Sequence, residues 1–398
     1  MPGRYVSRAW TFDPTVDAPA RYRRACGYDA FIPVRLGELS LSLEAGVAGV
    51  VSEADAAIRA LNSGAHPALA PLARLLLRTE SMASSKIEGI ATGVRALARA
   101  EARVETGGKV GATALEVLAN MDAMQLALDQ ASAVGRFGVG EITTIHRRLM
   151  ERTVNAERIA GQIRTSQNWI GGNDDNPCGA DFVPPPPEEV ASLLDDLCSA
   201  INDERLPPMV QAAVVHAQFE TIHPFADGNG RAGRALIHVV LKRRQVAPAY
   251  VPPVSVVLAA ERDRYIEGLM RFRGDRVGDW IEQFAAAALR GAKLAAAYLE
   301  EVRRLIDAWR ATLTASSARP RSDAAAWLVI DALPAYPVIT APVAAAATGR
   351  SKPQVYEALE QLQACGVLVP VSASRRNRSW EAAGLLDLLE RLEAGHLP

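Results

Sequence analysis

His223-Pro-Phe-Ala-Asp227-Gly-Asn-Gly-Arg231-Ala-Gly-Arg234 places an imidazole, a carboxylate, an amide, three glycines and two guanidinium groups within twelve residues. Before it, Val210, Ala213, Val214 and Ala217 recur at helical spacing, so His223 falls just past a helix end. After it, Ala232 to Arg243 is again helix-like. The expected element is helix, short loop, helix, with the glycines at the start of the second helix. There, unpaired backbone N–H groups and the helix dipole favour an anion.

Gly228, Gly230 and Gly233 also satisfy the G-x-G-x-x-G pattern of dinucleotide-binding folds. That motif needs an apolar strand before it and an acidic residue about twenty positions on. A helical pattern precedes it here, and Ala247 to Val256 holds no carboxylate, which excludes that fold. An ordinary helix start explains neither His223 together with Asp227 nor two arginines one turn apart. Attack of a hydroxyl on a magnesium-bound triphosphate is one chemistry that would call on each of these groups. A histidine with the ordinary pKa of about 6.5 can take the hydroxyl's proton. Magnesium needs only one or two carboxylates besides phosphate oxygens and water. Fixed amides and guanidinium groups stabilise the phosphate charge.

The stretch resembles the signature of the Fic family, His-x-Phe-x-Asp/Glu-Gly-Asn-Gly-Arg-x-x-Arg, at every specified position. Fic proteins mostly move AMP from ATP onto a protein hydroxyl. The resemblance implies His223 as general base for a Ser, Thr or Tyr hydroxyl, and Asp227 as holder of a magnesium ion (Mg2+) bridging the phosphates. It implies the N–H groups of Gly228, Asn229 and Gly230 as anion hole, Arg231 on the β-phosphate and Arg234 on the γ-phosphate. Ala232 and Gly233 complete the nucleotide-binding run. The implied reaction is protein adenylylation by a nucleotidyltransferase, with self-modification included.

Arg78 to Gly89 holds a second motif. On spacing alone, Ser84 and Glu88, one turn apart before Gly89, read as a helix end with a glycine stop. The same residues resemble the Ser/Thr-x-x-x-Glu-Gly/Asn inhibitory motif of many Fic proteins. The resemblance implies that Glu88 pairs with Arg234 and occupies donors the γ-phosphate needs, so that the isolated protein is autoinhibited. Such a glutamate can also serve the reverse reaction, and the direction of transfer stays open.

Gly161 to Gly172 changes period, and its alternation predicts a β-hairpin closed by Asp181 to Pro187. It is similar in position to the family's flap, which holds a target segment by strand-like main-chain pairing. Ile163, Arg164, Thr165, Gln167, Trp169 and Ile170 are the residues expected there. Tyr265 is open between the nucleotide base and plain packing. His146, His216 and His238 read as structural.

Composition frames the rest. With 398 residues, 49% of them hydrophobic and 22% charged, the chain can hold two or three cored domains. A net charge of -1 gives no overall attraction to nucleic acid or anionic membrane. Four widely spaced cysteines without a C-x-x-C pair predict reduced thiols in a reducing, cytoplasmic setting. No signal-peptide core starts the chain, and the uncharged run Ala332 to Thr348 is broken by prolines and too short to span a membrane.

The C-terminal part reads as a winged helix-turn-helix. Ala324 to Leu333, Ala341 to Thr348 and a third helix capped by Ser351 and stopped by Gly366 precede wing strands at Leu368 to Val371 and Arg378 to Trp380. Lys352, Gln354, Arg375, Arg376 and Arg378 are its candidate DNA contacts, weakened by Glu357 and Glu360, with packing or protein recruitment equally open.

The expected fold is mainly α, a Fic-type helical core with a small β-hairpin flap plus the winged domain. Its expected divisions are 1–110 with the inhibitory motif, 111–305 as catalytic core, 306–321 as linker and 322–398 as winged helix. Expected ligands and partners are ATP, Mg2+, a protein with a hydroxyl side chain and DNA through the C-terminal domain, with no membrane. A homodimer stays open, since a second chain could hold or release Glu88. A competing reading from another class is a DNA-binding regulator whose core only senses nucleotide.

Overall fold

The computed structural model describes residues 3–15, 17–63, 70–316, 320–371 and 378–396. In chain order the elements begin with β1 (Arg4–Trp10), β2 (Cys26–Ile32), α1 (Ala45–Ser63), α2 (Ala70–Ile87), α3 (Val94–Glu105) and α4 (Ala112–Asp129). Next come α5 (Val139–Met150), α6 (Ala156–Ile159), α7 (Pro187–Asn202), α8 (Pro208–Ile222), α9 (Asn229–Arg243), α10 (Val254–Ala260), α11 (Arg262–Arg273) and α12 (Val277–Ala315). The last are α13 (Ala325–Ala332), β3 (Val338–Thr340), α14 (Ala341–Thr348), α15 (Lys352–Ala364), β4 (Leu368–Pro370), β5 (Ser379–Ala382) and α16 (Leu385–Glu393). The fold is mainly helical, as expected.

Two units alternate along the chain. The first comprises Met1–Glu53, Leu126–Gln245 and Asp263–Ala286, and the second Ala54–Gln125, Val246–Arg262 and Ala287–Pro398. Helix α12 carries helical structure to Ala315, through much of the stretch expected as linker. Alanine and leucine run through Thr312 without a glycine or proline until Pro320, so nothing in the sequence stops the helix earlier.

In the first unit α8 is the centre. Every residue from Met209 to Ile222 is buried, which fits a sequence apolar on all faces. Proline at the first position of α8 fits a site where an N–H has no helical partner anyway. α9 packs against α8 closely enough to require a glycine. A Cβ at position 233 would lie 2.4 Å from Glu220 Oε1 and 2.9 Å from Phe219 Cδ1. Trp280, fully buried, donates its indole N–H to the carbonyl of Ala213 on the same helix.

An N-terminal ribbon also belongs to this unit. β1 and β2 pair antiparallel from Arg4 opposite Ile32 to Trp10 opposite Cys26. Cys26 is joined to Cys178 by a disulfide. This corrects the expectation of four reduced thiols, which rested on sequence spacing, whereas disulfide formation depends on distance in space. Cys198 and Cys365 are free.

In the second unit α10 lies along α2, where Glu80 is fully buried and accepts from both the N–H and the hydroxyl of Ser255. The C-terminal segment runs helix, strand, helix, helix, strand, strand, helix, with the sheet in the order β3-β5-β4, antiparallel throughout. Gly349 between α14 and α15 is left-handed, and a capping box of Ser351 and Gln354 starts α15. Arg375 and Arg376 lie outside the described residues.

Candidate functional site

The expected helix, loop, helix forms at the signature. α8 ends at Ile222, and His223 takes the left-handed conformation, φ 49° and ψ 60°, while its N–H donates to Phe219 O at 2.9 Å. That conformation is rare for a residue with a Cβ and costs about 1–3 kcal/mol unless its surroundings hold it. Gly228 is left-handed too, as the N-cap of α9. A Cβ there would lie 2.8 Å from Met150 Sδ and 3.2 Å from His146 Nε2.

Asn229 closes the loop between these two residues. Its Oδ1 accepts from the Phe225 N–H and its Nδ2 donates to the Phe225 carbonyl, each at 2.9 Å. The first turn of α9 therefore begins at a fixed point. Its opening N–H groups have no partner inside the helix by construction, so the buried run Asn229 to Arg231 presents backbone donors at a positive helix end.

Around that end stand the other signature groups. Asp227 has a carboxylate 67% exposed, with Oδ1 accepting from the Gly228 N–H at 2.6 Å and 3.8 Å from the Arg231 guanidinium. Arg231 and Arg234 are 2% and 1% exposed, and Ala232 and Gly233 are buried between them. Two guanidinium groups at the positive end of a helix make this a place where negative charge is stabilised. His223 is half-buried and Asp227 exposed, which leaves the carboxylate accessible to solvent.

His146, read as structural, holds the loop. The Gly161 N–H donates to its Nδ1 at 3.0 Å, so the ring proton sits on Nε2, which donates to the Asp227 carbonyl at 2.9 Å. The ring stacks on Phe225, centroids 3.6 Å apart. Burial pushes its pKa down to about 4, so it is neutral at ordinary pH. His216 is neutral for the same first reason, burial, aided by the Arg234 charge, at about 3. The Tyr265 hydroxyl lies 2.9 Å from His216 Nε2, and Tyr265 is 4% exposed, which makes it a packing residue. His238 is buried as well.

The flap is narrower than expected. Among the described residues its strand pairing is a single antiparallel bridge, Ile170 with Phe182. Pro184 to Pro187 have no N–H to extend a ladder. The Phe31 N–H donates to Val183 O at 2.9 Å, Trp10 meets Trp169 edge-on at 5.3 Å, and Asn176 donates to Tyr22 O, so the ribbon backs this segment. Ile163, Gln167, Trp169 and Ile170 are half-buried and Thr165 is exposed. Gln167 donates to Pro184 O and Trp169 to Asn173 O. Arg164 differs from its expected place at a target-facing edge. It is 6% exposed, and its guanidinium reaches inward to the carbonyls of Ile222, His223, Ser166 and Pro185. No spacing in the sequence signals this, because its partners are backbone groups up to 59 residues away.

The second motif lies at the end of α2 in the other unit. Ser84 is buried, and Glu88, exposed, follows the last helical residue. The Ser85 carbonyl accepts from the N–H groups of both Glu88 and Ile90, at 3.0 and 3.1 Å, and Gly89 is left-handed at φ 78°. Asn120 donates to Ser81 O and Ser85 Oγ, and Arg262 to Ile87 O. The glycine stop read from spacing forms, and it fixes the backbone that carries Glu88.

Comparison with known proteins gives this geometry its relatives. Residues 137–241 match the model of the Fic/DOC family, and residues 49–129 match that of the Fic/DOC family N-terminal region. The chain is 34% identical over 118 residues to the protein adenylyltransferase fic-1 of Caenorhabditis elegans, covering 29% of this chain and 21% of the relative. It is 30% identical over 171 residues to the protein adenylyltransferase Fic of Drosophila erecta, covering 41% and 32%. The matched part of this chain thus spans about a fifth to a third of these relatives' length. A solved Fic family protein from Desulfovibrio desulfuricans G20 shares the fold at a TM-score of 0.53 and 19% identity, over 86% of this chain and 98% of that one. A structure of Fic-1 from Caenorhabditis elegans gives a TM-score of 0.50 at 21% identity, over 65% and 73%. No helix among the described residues is long and apolar enough to cross a membrane.

Proposed function

We propose that this chain, a member of the Fic/DOC family, transfers AMP from ATP to a Ser, Thr or Tyr hydroxyl of a protein and releases pyrophosphate. The observation that carries the proposal is His223, held left-handed at the end of α8 beside the N-terminus of α9 with its two buried arginines. In the reaction the His223 imidazole takes the hydroxyl proton as the oxygen bonds to the α-phosphorus, and the bond from that phosphorus to pyrophosphate breaks. The N–H groups of Gly228, Asn229 and Gly230 receive phosphate oxygens, with Arg231 on the β-phosphate and Arg234 on the γ-phosphate. Donors fixed before the substrate arrives need no reorganisation during the step.

The donor set fits magnesium. Asp227 offers an exposed carboxylate whose Oδ1 accepts from the Gly228 N–H, and a magnesium ion needs few protein ligands when phosphates and water supply the rest. Such an ion, held by Asp227, would neutralise phosphate charge. The flap residues Ile163, Thr165, Gln167, Trp169 and Ile170 would guide the target's main chain, a reading supported by the strand-like bridge at Ile170.

Glu88 serves as the inhibitor in this reading, pairing with Arg234 and displacing the γ-phosphate. Support comes from the hydrogen-bonded end of α2, where Asn120 donates to Ser81 O and Ser85 Oγ and Arg262 to Ile87 O just before Glu88. Incubation with α-labelled ATP tests this. Glu88→Gly should exceed wild type by about 5- to 150-fold, the scale of a coupling of one to three kcal/mol. Equal labelling removes the inhibitory role. The same assay on AMP-modified protein distinguishes transfer from removal.

The C-terminal segment is proposed to be a winged helix-turn-helix, supported by the order of its helices and its β3-β5-β4 sheet. Lys352, Gln354 and the half-exposed Tyr356 lie on α15, the helix that would face a partner. DNA as that partner predicts a gel shift that weakens steeply with salt; absence of a shift at low salt assigns the surface to protein.

A further inference from the structure

We infer that Arg164 and Asn168 are positioning residues for His223, setting the direction of its imidazole through the backbone. The inference deepens the proposed function and rests on His223 being the base. Its evidence is a run of four consecutive carbonyls, Ile222, His223, Pro224 and Phe225, each of which receives a donor from these two residues. Arg164 Nη2 reaches Ile222 O at 3.3 Å and Nε reaches His223 O at 2.9 Å. The Arg164 backbone N–H donates to Pro224 O at 2.9 Å. Asn168 Nδ2 reaches both His223 O and Phe225 O at 3.0 Å.

A peptide group is planar, so fixing the planes on either side of a residue fixes its φ and ψ. The plane before His223 is held at Ile222 O by Arg164 and at the His223 N–H by Phe219 O. The plane after it is held at His223 O by Arg164 and Asn168 together. The left-handed backbone is thereby fixed, and the Cα–Cβ bond with it. An arginine suits the place because its planar fork can serve several carbonyls at once, where a lysine offers a point charge. The negative end of α8 favours a cation there. Burial lowers the Arg164 pKa to about 10, well above neutral pH, so the guanidinium stays charged.

The sequence between Gly161 and Ile170 thus has two jobs. One edge is available to a target, and Arg164 with Asn168 forms the support of the base. Loss of Arg164 would leave buried carbonyls without donors and free His223 to relax toward ordinary backbone angles.

The test uses the full chain in the Glu88→Gly background, with Arg164→Ala, Arg164→Lys and Asn168→Ala. Misplacing a reacting group by an ångström can cost about 100-fold, so Arg164→Ala is expected to lose about that in kcat while KM for ATP stays within about twofold. Added guanidinium ion should restore part of the rate in Arg164→Ala, and Arg164→Lys should not recover it. Asn168→Ala, the smaller deletion, should lose roughly tenfold with the same constancy of KM, and it serves if Arg164→Ala does not fold. The second readout is the titration of the His223 ring by nitrogen-detected NMR, expected to shift in each alanine variant. Unchanged kcat and unchanged titration in a folded variant overturn the inference, as does a loss confined to ATP binding and melting temperature with no guanidinium rescue. If the parent transfers no AMP, the base reading fails by itself, and an unmoved His223 titration then overturns the positioning claim separately.

Discussion

Two helix ends in this chain solve the same geometric problem at different cost. α2 and α8 are both followed by a residue in the left-handed region, Gly89 at φ 78° and His223 at φ 49°. Gly89 meets nothing within 4 Å where a Cβ would stand, and without a Cβ it adopts the conformation freely. His223 carries a side chain, and the surrounding structure bonds nearly every polar backbone atom beside it. A glycine suffices where the chain only has to stop; a histidine held there against its preference marks the place where a side chain has work to do.

The largest effect that would sharpen this contrast is acid sensitivity at the braced end. His146 supports the loop as a neutral ring with a folded pKa of about 4, against about 6.5 for an ordinary histidine. Above pH 6.5 neither folded nor unfolded chain binds this proton, and stability is unaffected. Between 6.5 and about 4 the unfolded chain takes up a proton that the folded chain refuses, so stability falls with falling pH, by about 1.4 kcal/mol per unit. His146→Gln should therefore lose about 2 kcal/mol less than wild type between pH 7 and pH 5 in urea unfolding. His216, neutral by burial, keeps its own share of the acid loss in both proteins. Equal losses would mean that His146 is protonated in the folded state.

A smaller effect compares the two ends directly. At both positions glycine should be more stable than alanine by about 1 kcal/mol, measured as Gly89 against Gly89→Ala and His223→Gly against His223→Ala. Indifference at position 223 would mean that its backbone relaxes once the ring is gone, and the supports at Arg164 and Asn168 would then not be holding it.

Much of the braced end was legible in advance. The helix, loop, helix reading, the glycines at the start of α9 and the glycine stop at Gly89 follow from local spacing, and each forms. In the C-terminal segment, α14 and α15 match their expected bounds because a threonine cap, a left-handed glycine and a capping box are all local signals. What spacing could not show was long-range. The strands of the N-terminal ribbon are separated by residues 11–25, longer than a hairpin loop, and β1 is mostly exposed, so no clean alternation betrays it. Cys26 and Cys178 are 152 residues apart. Alternation places Arg164 on a strand edge, since it says nothing of which backbone carbonyls a side chain will find. A thiol titration of the unfolded, unreduced protein checks the correction on cysteine: two reactive thiols, Cys198 and Cys365, are expected, and four would restore the reduced reading. In the folded protein Cys198 should react slowly, since burial pushes its pKa up to about 12.

The central claim is that the histidine at the end of α8 carries chemistry, and intact-mass measurement of AMP added from ATP and magnesium tests it most directly. In the Glu88→Gly background the account predicts AMP addition with His223 present and its loss, by about 100-fold or more, in both His223→Ala and His223→Gly, although the glycine variant is the more stable of the two. AMP addition that persists in His223→Gly, or that is absent from the Glu88→Gly parent with a hydroxyl-bearing target supplied, would contradict it.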